Sequence, residues 1–259
     1  MSATPALETR DLTIRFGGHV AVNAVSCAFH PGTLTAIVGP NGAGKTTYFN
    51  LISGQLKATA GRVLLGGQDV TGLSASARTK RGMGRAFQLT NLFPNLTVME
   101  NVRLAVQSRA GAGLQFLQLW SHRGDLIDRA DSLLAAVKLL DKRNAMAGAL
   151  PHGDQRKLEV ALLLALEPDI FMFDEPTAGM SVDEVPTVLE LIHGIKALGN
   201  KTVLLVEHKM DVVRSLADRI IVLHNGTLVA DGDPAEVIAS PVVQEAYLGV
   251  MPEKLEAAP

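Results

Sequence analysis

An α/β fold built on buried parallel strands is predicted by three observations. Three short runs, 34–38 (LTAIV), 170–173 (IFMF) and 203–206 (VLLV), are apolar without alternation, as strands covered on both faces are. Helical patterns lie between them. Each run also ends abruptly, in Gly39-Pro40-Asn41-Gly42, in Asp174-Glu175-Pro176 and in Glu207-His208.

The elements follow in order. After the strand at 34–38, residues 47–53 read as a helix. The stretch 97–140 carries Leu, Val and Ala at helical spacing with no β-rich run, and is expected to be an all-helical insertion. Leu158, Ala161, Leu162, Ala165 and Leu166 fall on one helix face, ended by Pro168. Residues 220–223 run into Asn225-Gly226 and then 227–230, a hairpin signal. Asp233-Pro234-Ala235-Glu236 opens the last helix with a cap residue, a proline at the first helical position and a carboxylate. A frayed tail is expected over 251–259.

The chain has 259 residues, 47% hydrophobic and 19% charged, so it can bury a substantial core. Its net charge of −2 shows no basic excess, and nucleic acid is not an expected partner. One cysteine, Cys27, excludes an internal disulfide. Mean hydropathy is positive (+0.21), yet the most apolar helical stretch, 160–166, is bounded by Glu159 and Glu167, far short of the roughly 20 residues a span needs. The start MSATPALETRDL has no charged segment followed by an apolar run, so no leader is expected.

Gly39, Pro40, Asn41, Gly42, Ala43, Gly44, Lys45 and Thr46 fit G-x-x-x-x-G-K-[ST] between a predicted strand and a predicted helix. Glycines let backbone N–H groups converge on a β-phosphate, and the helix that follows presents its positive end. Lys45 neutralises β- and γ-phosphate charge and Thr46 offers a hydroxyl to Mg²⁺, with Thr47 beside them. Asp174, at a neighbouring strand end, is the carboxylate expected to reach that magnesium. Glu175 next to it is the candidate general base. In isolation such a carboxylate pair would be a loop cap or a helix start. A single phosphate loop and no internal repeat make this one nucleotide unit.

The ordered set of phosphate loop, Gln88 after Arg85-Ala86-Phe87, a signature segment, Asp174-Glu175 and His208 resembles the ATP-binding cassette (ABC) ATPases, from Leu7 to about Gly249. Within them the chain is similar to the ATP-binding subunit of branched-chain amino acid importers, through Phe16-Gly17-Gly18, GPNGAGKTTYFNLISG (39–54), GRAFQLTNLFPNLTVMENV (84–102), DEPTAGM (174–180), VEHKMDVV (206–213) and AYLG (246–249). Close relatives that carry urea or other amides have similar cassettes. The resemblance implies a P-loop cassette with a mixed sheet core over 7–95 and 159–235, a helical subdomain at 96–158, a closing helix at 236–249 and a tail at 250–259.

The resemblance further implies ATP and Mg²⁺ as ligands, with Phe16 stacking on adenine, Gln88 contacting Mg²⁺ and the attacking water, and His208 hydrogen-bonding the γ-phosphate. Plainer readings are a strand-core phenylalanine, a turn glutamine and a satisfied polar histidine. Implied partners are membrane permease subunits, a second cassette, identical or not, and indirectly a periplasmic substrate-binding protein. The implied location is peripheral, on the cytoplasmic face of the inner membrane. A short permease helix would dock near 88–101. The competing class is an ABC protein without transport, or a degraded cassette.

The signature segment departs from the family's usual Leu-Ser-Gly-Gly-Gln. It reads Leu150, Pro151, His152, Gly153, Asp154, Gln155. The signature grips the γ-phosphate held by the opposite subunit through helix N-terminal amides and a serine hydroxyl. Pro151, in the serine's place, has neither hydroxyl nor N–H, although proline suits the first turn of a helix. Asp154 is expected to place negative charge near the phosphate unless it serves the helix instead. A weakened, slowly hydrolysing site is the expectation.

Overall fold

The computed structural model describes residues 4–86, 92–110 and 124–248. In chain order the elements are β1 (Leu7–Phe16), β2 (His19–Phe29), β3 (Leu34–Val38), α1 (Lys45–Ser53), β4 (Ala60–Leu65), β5 (Gln68–Asp69), α2 (Ala75–Thr79), β6 (Met83–Ala86), α3 (Val98–Arg109), α4 (Gly124–Ala136), α5 (His152–Ala165), β7 (Ile170–Asp174), α6 (Val185–Ala197), β8 (Thr202–Val206), α7 (Met210–Leu216), β9 (Arg219–His224), β10 (Thr227–Gly232), α8 (Pro234–Ala239) and α9 (Pro241–Leu248). The chain forms two compact units, 1–78 with 202–259, and 79–201.

In the first unit β3 is flanked by β8 and β9, both parallel to it, and β10 closes the edge antiparallel to β9. All five residues of β3 and of β8 are buried, which is why neither alternates. Val213 of α7, Val237 of α8 and Val243 of α9 pack with Ala36, Val38, Ile220 and Val222. A separate antiparallel sheet runs β2-β1-β4-β5. Its strands were not legible in the sequence because bulges break the two-residue period. Register shifts interrupt β1 and β2, and Asp11 and Ala24 sit there at φ +47° and +49°.

In the second unit β6 runs parallel to β7, and α3, α4 and α5 pack on one another. Thr97 starts α3 with a capping box. Its hydroxyl accepts from the Glu100 N–H (3.1 Å) while its own N–H donates to Glu100 Oε2 (2.8 Å). The helical character expected over 97–140 holds for α3 and α4; residues 111–123 lie outside the described ones. Beyond β10 the chain forms two short helices where one over 236–249 was expected. Asp233 caps the first through Ala235 N–H (2.8 Å), and Ser240-Pro241 ends it and starts the second. The tail expected over 250–259 lies outside the described residues.

One buried cation braces the helix after the phosphate loop. Arg78 is 2% exposed and donates through Nη1 to the carbonyls of Leu51 (2.7 Å) and Ile52 (2.5 Å) at the end of α1. Its Nη2 and Nε donate to the carbonyls of Thr71 (2.8 Å) and Leu73 (3.2 Å). The Leu51 and Ile52 carbonyls stand in the last turn of α1, where helix carbonyls run out of intrahelical donors, and the guanidinium supplies donors to them. Arg78→Met, which keeps the length and loses all four bonds, is expected to lower the unfolding free energy by about 3 kcal/mol, read from the urea midpoint.

Candidate functional site

The phosphate loop leaves the buried end of β3 and turns into α1 within the first unit. Gly39 has φ +150°, and a side chain there would put its first carbon 2.1 Å from the Leu223 carbonyl oxygen of β9. Gly44, the N-cap of α1 at φ +95°, would meet the Ala21 carbonyl at 2.5 Å. Both glycines are therefore required by close backbone approach as well as by conformation. Asn225-Gly226, the β9–β10 turn, braces the loop from the side. Gly226 N–H donates to the Ala43 carbonyl (3.0 Å), and its carbonyl accepts from Asn23 N–H (2.8 Å). The hairpin was expected, but its grip on the loop had no signal in the sequence.

Lys45 is buried, and its ammonium donates to the Gly39 carbonyl (2.6 Å) and the Pro40 carbonyl (2.9 Å), lying back along its own loop. Thr46 is exposed on the first turn of α1, with Thr47 half-buried beside it. Phe16, at the end of β1, is 50% exposed, which removes the strand-core reading. His208 follows β8 with its side chain 51% exposed. Glu207 before it is fully buried and accepts from the backbone N–H groups of His208 (2.9 Å) and Lys209 (3.2 Å), fixing the chain at that turn.

The carboxylates stand in the second unit. Asp174 ends β7, and its Oδ2 accepts from Arg85 Nη2 of β6 at 2.8 Å, both side chains being at most 10% exposed. Burial pulls the Arg85 guanidinium below its ordinary value, against the pull of the adjacent carboxylate. Glu175, half-buried, takes φ +49°, a left-handed conformation uncommon outside glycine and frequent at functional sites. Its carbonyl accepts from Ala178 N–H (3.0 Å), turning the chain away from the strand. Gln88 lies outside the described residues.

The signature segment opens α5. Pro151 sits at the helix cap with no side-chain cap bond, one step before the first helical position where proline is favoured. Leu150 is buried, and its carbonyl accepts from Gln155 Nε2 (2.9 Å). His152 lies over Gly179, where an added carbon would be 3.3 Å from Nε2. At Gly153 an added carbon would meet the Glu184 carboxylate at 1.9 Å. Asp154 turns inward, 7% exposed, pairing with Lys142 and with Lys157 (2.8 Å). Burial raises its pKa, but the two lysines hold it below the usual carboxylate range. The charge expected to face a phosphate is thus neutralised within the unit.

A groove of about 410 Å³ also lies within the second unit, lined by Phe93, Leu104, Leu162 and Leu166, with Arg85 and Glu159 as its charged members. Glu159 Oε2 accepts from Arg156 at 3.0 Å, and burial raises its carboxyl above the usual range. This overlaps the stretch expected to receive a permease helix. No helix among the described residues is long and apolar enough to cross a membrane.

A family model described as ABC transporter matches residues 22–178, and one described as branched-chain amino acid ATP-binding cassette transporter matches 227–251. The chain is 40% identical over 250 residues, 95% of its length and 98% of the relative's, to the high-affinity branched-chain amino acid transport ATP-binding protein LivG of Escherichia coli. It is 37% identical, over 95% of its length and 98% of the relative's, to the corresponding BraF of Pseudomonas aeruginosa. A crystal structure of the ADP conformation of an ATP-binding cassette of an ABC transporter superposes with a TM-score of 0.81 at 28% identity, covering 96% of this chain and all of that one. The chain belongs to the ABC transporter family of ATP-binding cassettes. It is an ABC-type ATPase that binds ATP as a subunit of a transporter complex.

Gly39→Ala is expected to weaken binding of a fluorescent ATP analogue by at least about tenfold, which is roughly 1.4 kcal/mol. Gly42→Ala, where nothing lies within 4 Å of the added carbon, is expected to cost clearly less. Equal losses in the two variants would contradict the close-approach account.

Proposed function

We propose that this chain powers an importer of branched-chain or related amino acids by hydrolysing ATP beneath a membrane permease. The observation that carries the reading is 40% identity along 95% of the chain to a branched-chain amino acid transport ATP-binding protein. A phosphate loop built to the closeness just described supports it. The permease and a second cassette, identical or not, would be its immediate partners, with a periplasmic binding protein delivering the amino acid. Attachment would be peripheral, at the cytoplasmic face of the inner membrane, through the permease. Within a domain over 7–249, the segment 96–158 would be the helical subdomain that meets the permease, and the groove beside Phe93 and Leu104 would take its short helix.

Each cassette would hold one ATP at its loop from Gly39 to Thr47, facing the partner's signature from Leu150 to Gln155. Lys45 would exchange its two loop carbonyls for β- and γ-phosphate oxygens, and the N–H groups around Gly42 and Gly44 would receive the β-phosphate. Phe16, exposed at the end of its strand, would stack on adenine. Glu175 would take a proton from the water that attacks the γ-phosphorus in line, with Lys45 and His208 stabilising the charge on the γ-oxygens and Gln88 orienting that water. Mg²⁺ would be held by the Thr46 hydroxyl and the Asp174 carboxylate, hard oxygen donors of the kind this ion prefers, and Gln88 would add a third. When bound, the ion supplies charge neutralisation between β- and γ-phosphates. ATP would close two cassettes on each other and hydrolysis would release them, a nucleotide-biased two-state element.

Glu175→Gln is expected to leave ATP binding intact and to lower turnover of the assembled complex by at least about a hundredfold, the lower end of what a positioned base contributes. Hydrolysis surviving that change would remove the base assignment. We also propose that Pro151 weakens the grip of the signature, since the helix cap lacks both hydroxyl and N–H. Pro151→Ser should raise turnover of the complex by on the order of tenfold, as one regained charge-assisted bond of about 1.5 kcal/mol implies. An unchanged rate counts against it.

A further inference from the structure

Arg85 belongs to two places at once. Its guanidinium donates to Asp174 Oδ2 at 2.8 Å, and its side chain lines the groove beside Leu104 and Leu162. Both contacts are inside one compact unit, and both ends are largely shielded from water. The strand that carries Arg85 is held closely: at Gly84 an added carbon would meet Leu163 Cδ1 at 2.4 Å and Pro168 Cγ at 2.7 Å, so α5 and the turn after it lie directly on β6. Whatever enters the groove therefore meets a side chain whose tip holds a carboxylate.

We propose that Arg85 is a positioning residue that couples occupancy of the groove to the Asp174 carboxylate. This rests on the reading above, in which a permease helix fills the groove and Asp174 faces the magnesium of bound ATP. Two physical effects give it content. The guanidinium fixes the orientation of Asp174, and its positive charge lowers the attraction of that carboxylate for a second cation nearby. A segment that shifts Arg85 away from Asp174 would strengthen the pull on the ion, and by reciprocity the ion would favour the occupied groove. Coupling of this kind needs an element with two arrangements. On this proposal they are the arginine on the carboxylate, as the structure has it, and the arginine displaced from it by the segment in the groove.

The test is the Mg²⁺ concentration at half-maximal binding of a fluorescent ATP analogue, with the full chain alone and assembled with its permease. For the chain alone, Arg85→Met is expected to lower that midpoint by about five- to thirtyfold, the factor that one or two kcal/mol produces. Arg85→Lys, which keeps the charge, should return it toward the unmodified value. A merely structural role would lower thermal stability and leave the midpoint in place. Assembly with the permease should shift the midpoint in the unmodified chain and not in Arg85→Met. An unchanged midpoint in folded Arg85→Met, or an equal shift on assembly in both, overturns the proposal. Leu162→Glu separates the two layers: permease co-purification surviving that change removes the groove reading and the coupling with it, while the midpoint of the chain alone still decides whether Arg85 positions Asp174.

Discussion

The phosphate loop works because the backbone around it leaves no room for side chains. At Gly39 the chain passes so close to the carbonyl of Leu223 that even a methyl group would overlap it, and at Gly44 a methyl group would overlap the carbonyl of Ala21. These are contacts with β9 and with β2, elements far apart in sequence. Two sheets and a hairpin turn must therefore be in place before the loop can take its shape. Gly226 joins them, donating to the loop at Ala43 and accepting from Asn23. The strand order matters to the loop, because the parallel register that sets Val38 beside Val222 brings the Leu223 carbonyl against Gly39.

The signature segment obeys a different constraint. A helix N-terminus attracts anions through its free N–H groups, and a carboxylate in its first turn competes for the same role. Asp154 avoids that competition by turning inward to Lys142 and Lys157. Glu184 also approaches the segment: its carboxylate accepts from both the N–H and the hydroxyl of Ser181 while crowding Gly153. Ser181 is thus held by Glu184. The proline at the cap has no side-chain cap bond in place of the donors it lacks.

What was legible in the sequence follows from how local each signal is. The central strands showed because burial of all five residues of each leaves them largely apolar, without the alternation of a half-exposed strand. The loop motif showed because phosphate binding imposes residue types at fixed spacing. The antiparallel sheet of β1, β2, β4 and β5 did not, since bulges at Asp11 and Ala24 shift the alternation on which strand reading depends. Arg85 and Arg78 were also invisible as anything but surface charges. A buried arginine is recognisable only from its acceptors, and those lie on chain segments up to 89 residues away. Phe16 shows the converse. Composition favoured the core for an aromatic, and its position at a hairpin turn closed by Gly17-Gly18 put it in solvent.

Four cations of the two units share one property. Lys45 lies on carbonyls of its own loop, Arg85 on Asp174, and Lys142 and Lys157 on Asp154. On the proposed reading, a nucleotide approaching Lys45 would offer phosphate oxygens in exchange for two backbone carbonyls, so only the difference between the two sets of bonds would contribute to affinity. That difference grows with the charge on the terminal phosphate and shrinks when the phosphate leaves. A site of permanently exposed cations would hold both nucleotides tightly and separate them poorly. One whose cations already have partners discriminates by charge, and a ligand shifts a conformational equilibrium only by such a difference in affinity between states. On the proposed reading, the two carbonyls that hold Lys45 would help the loop let go of a nucleotide as well as bind one.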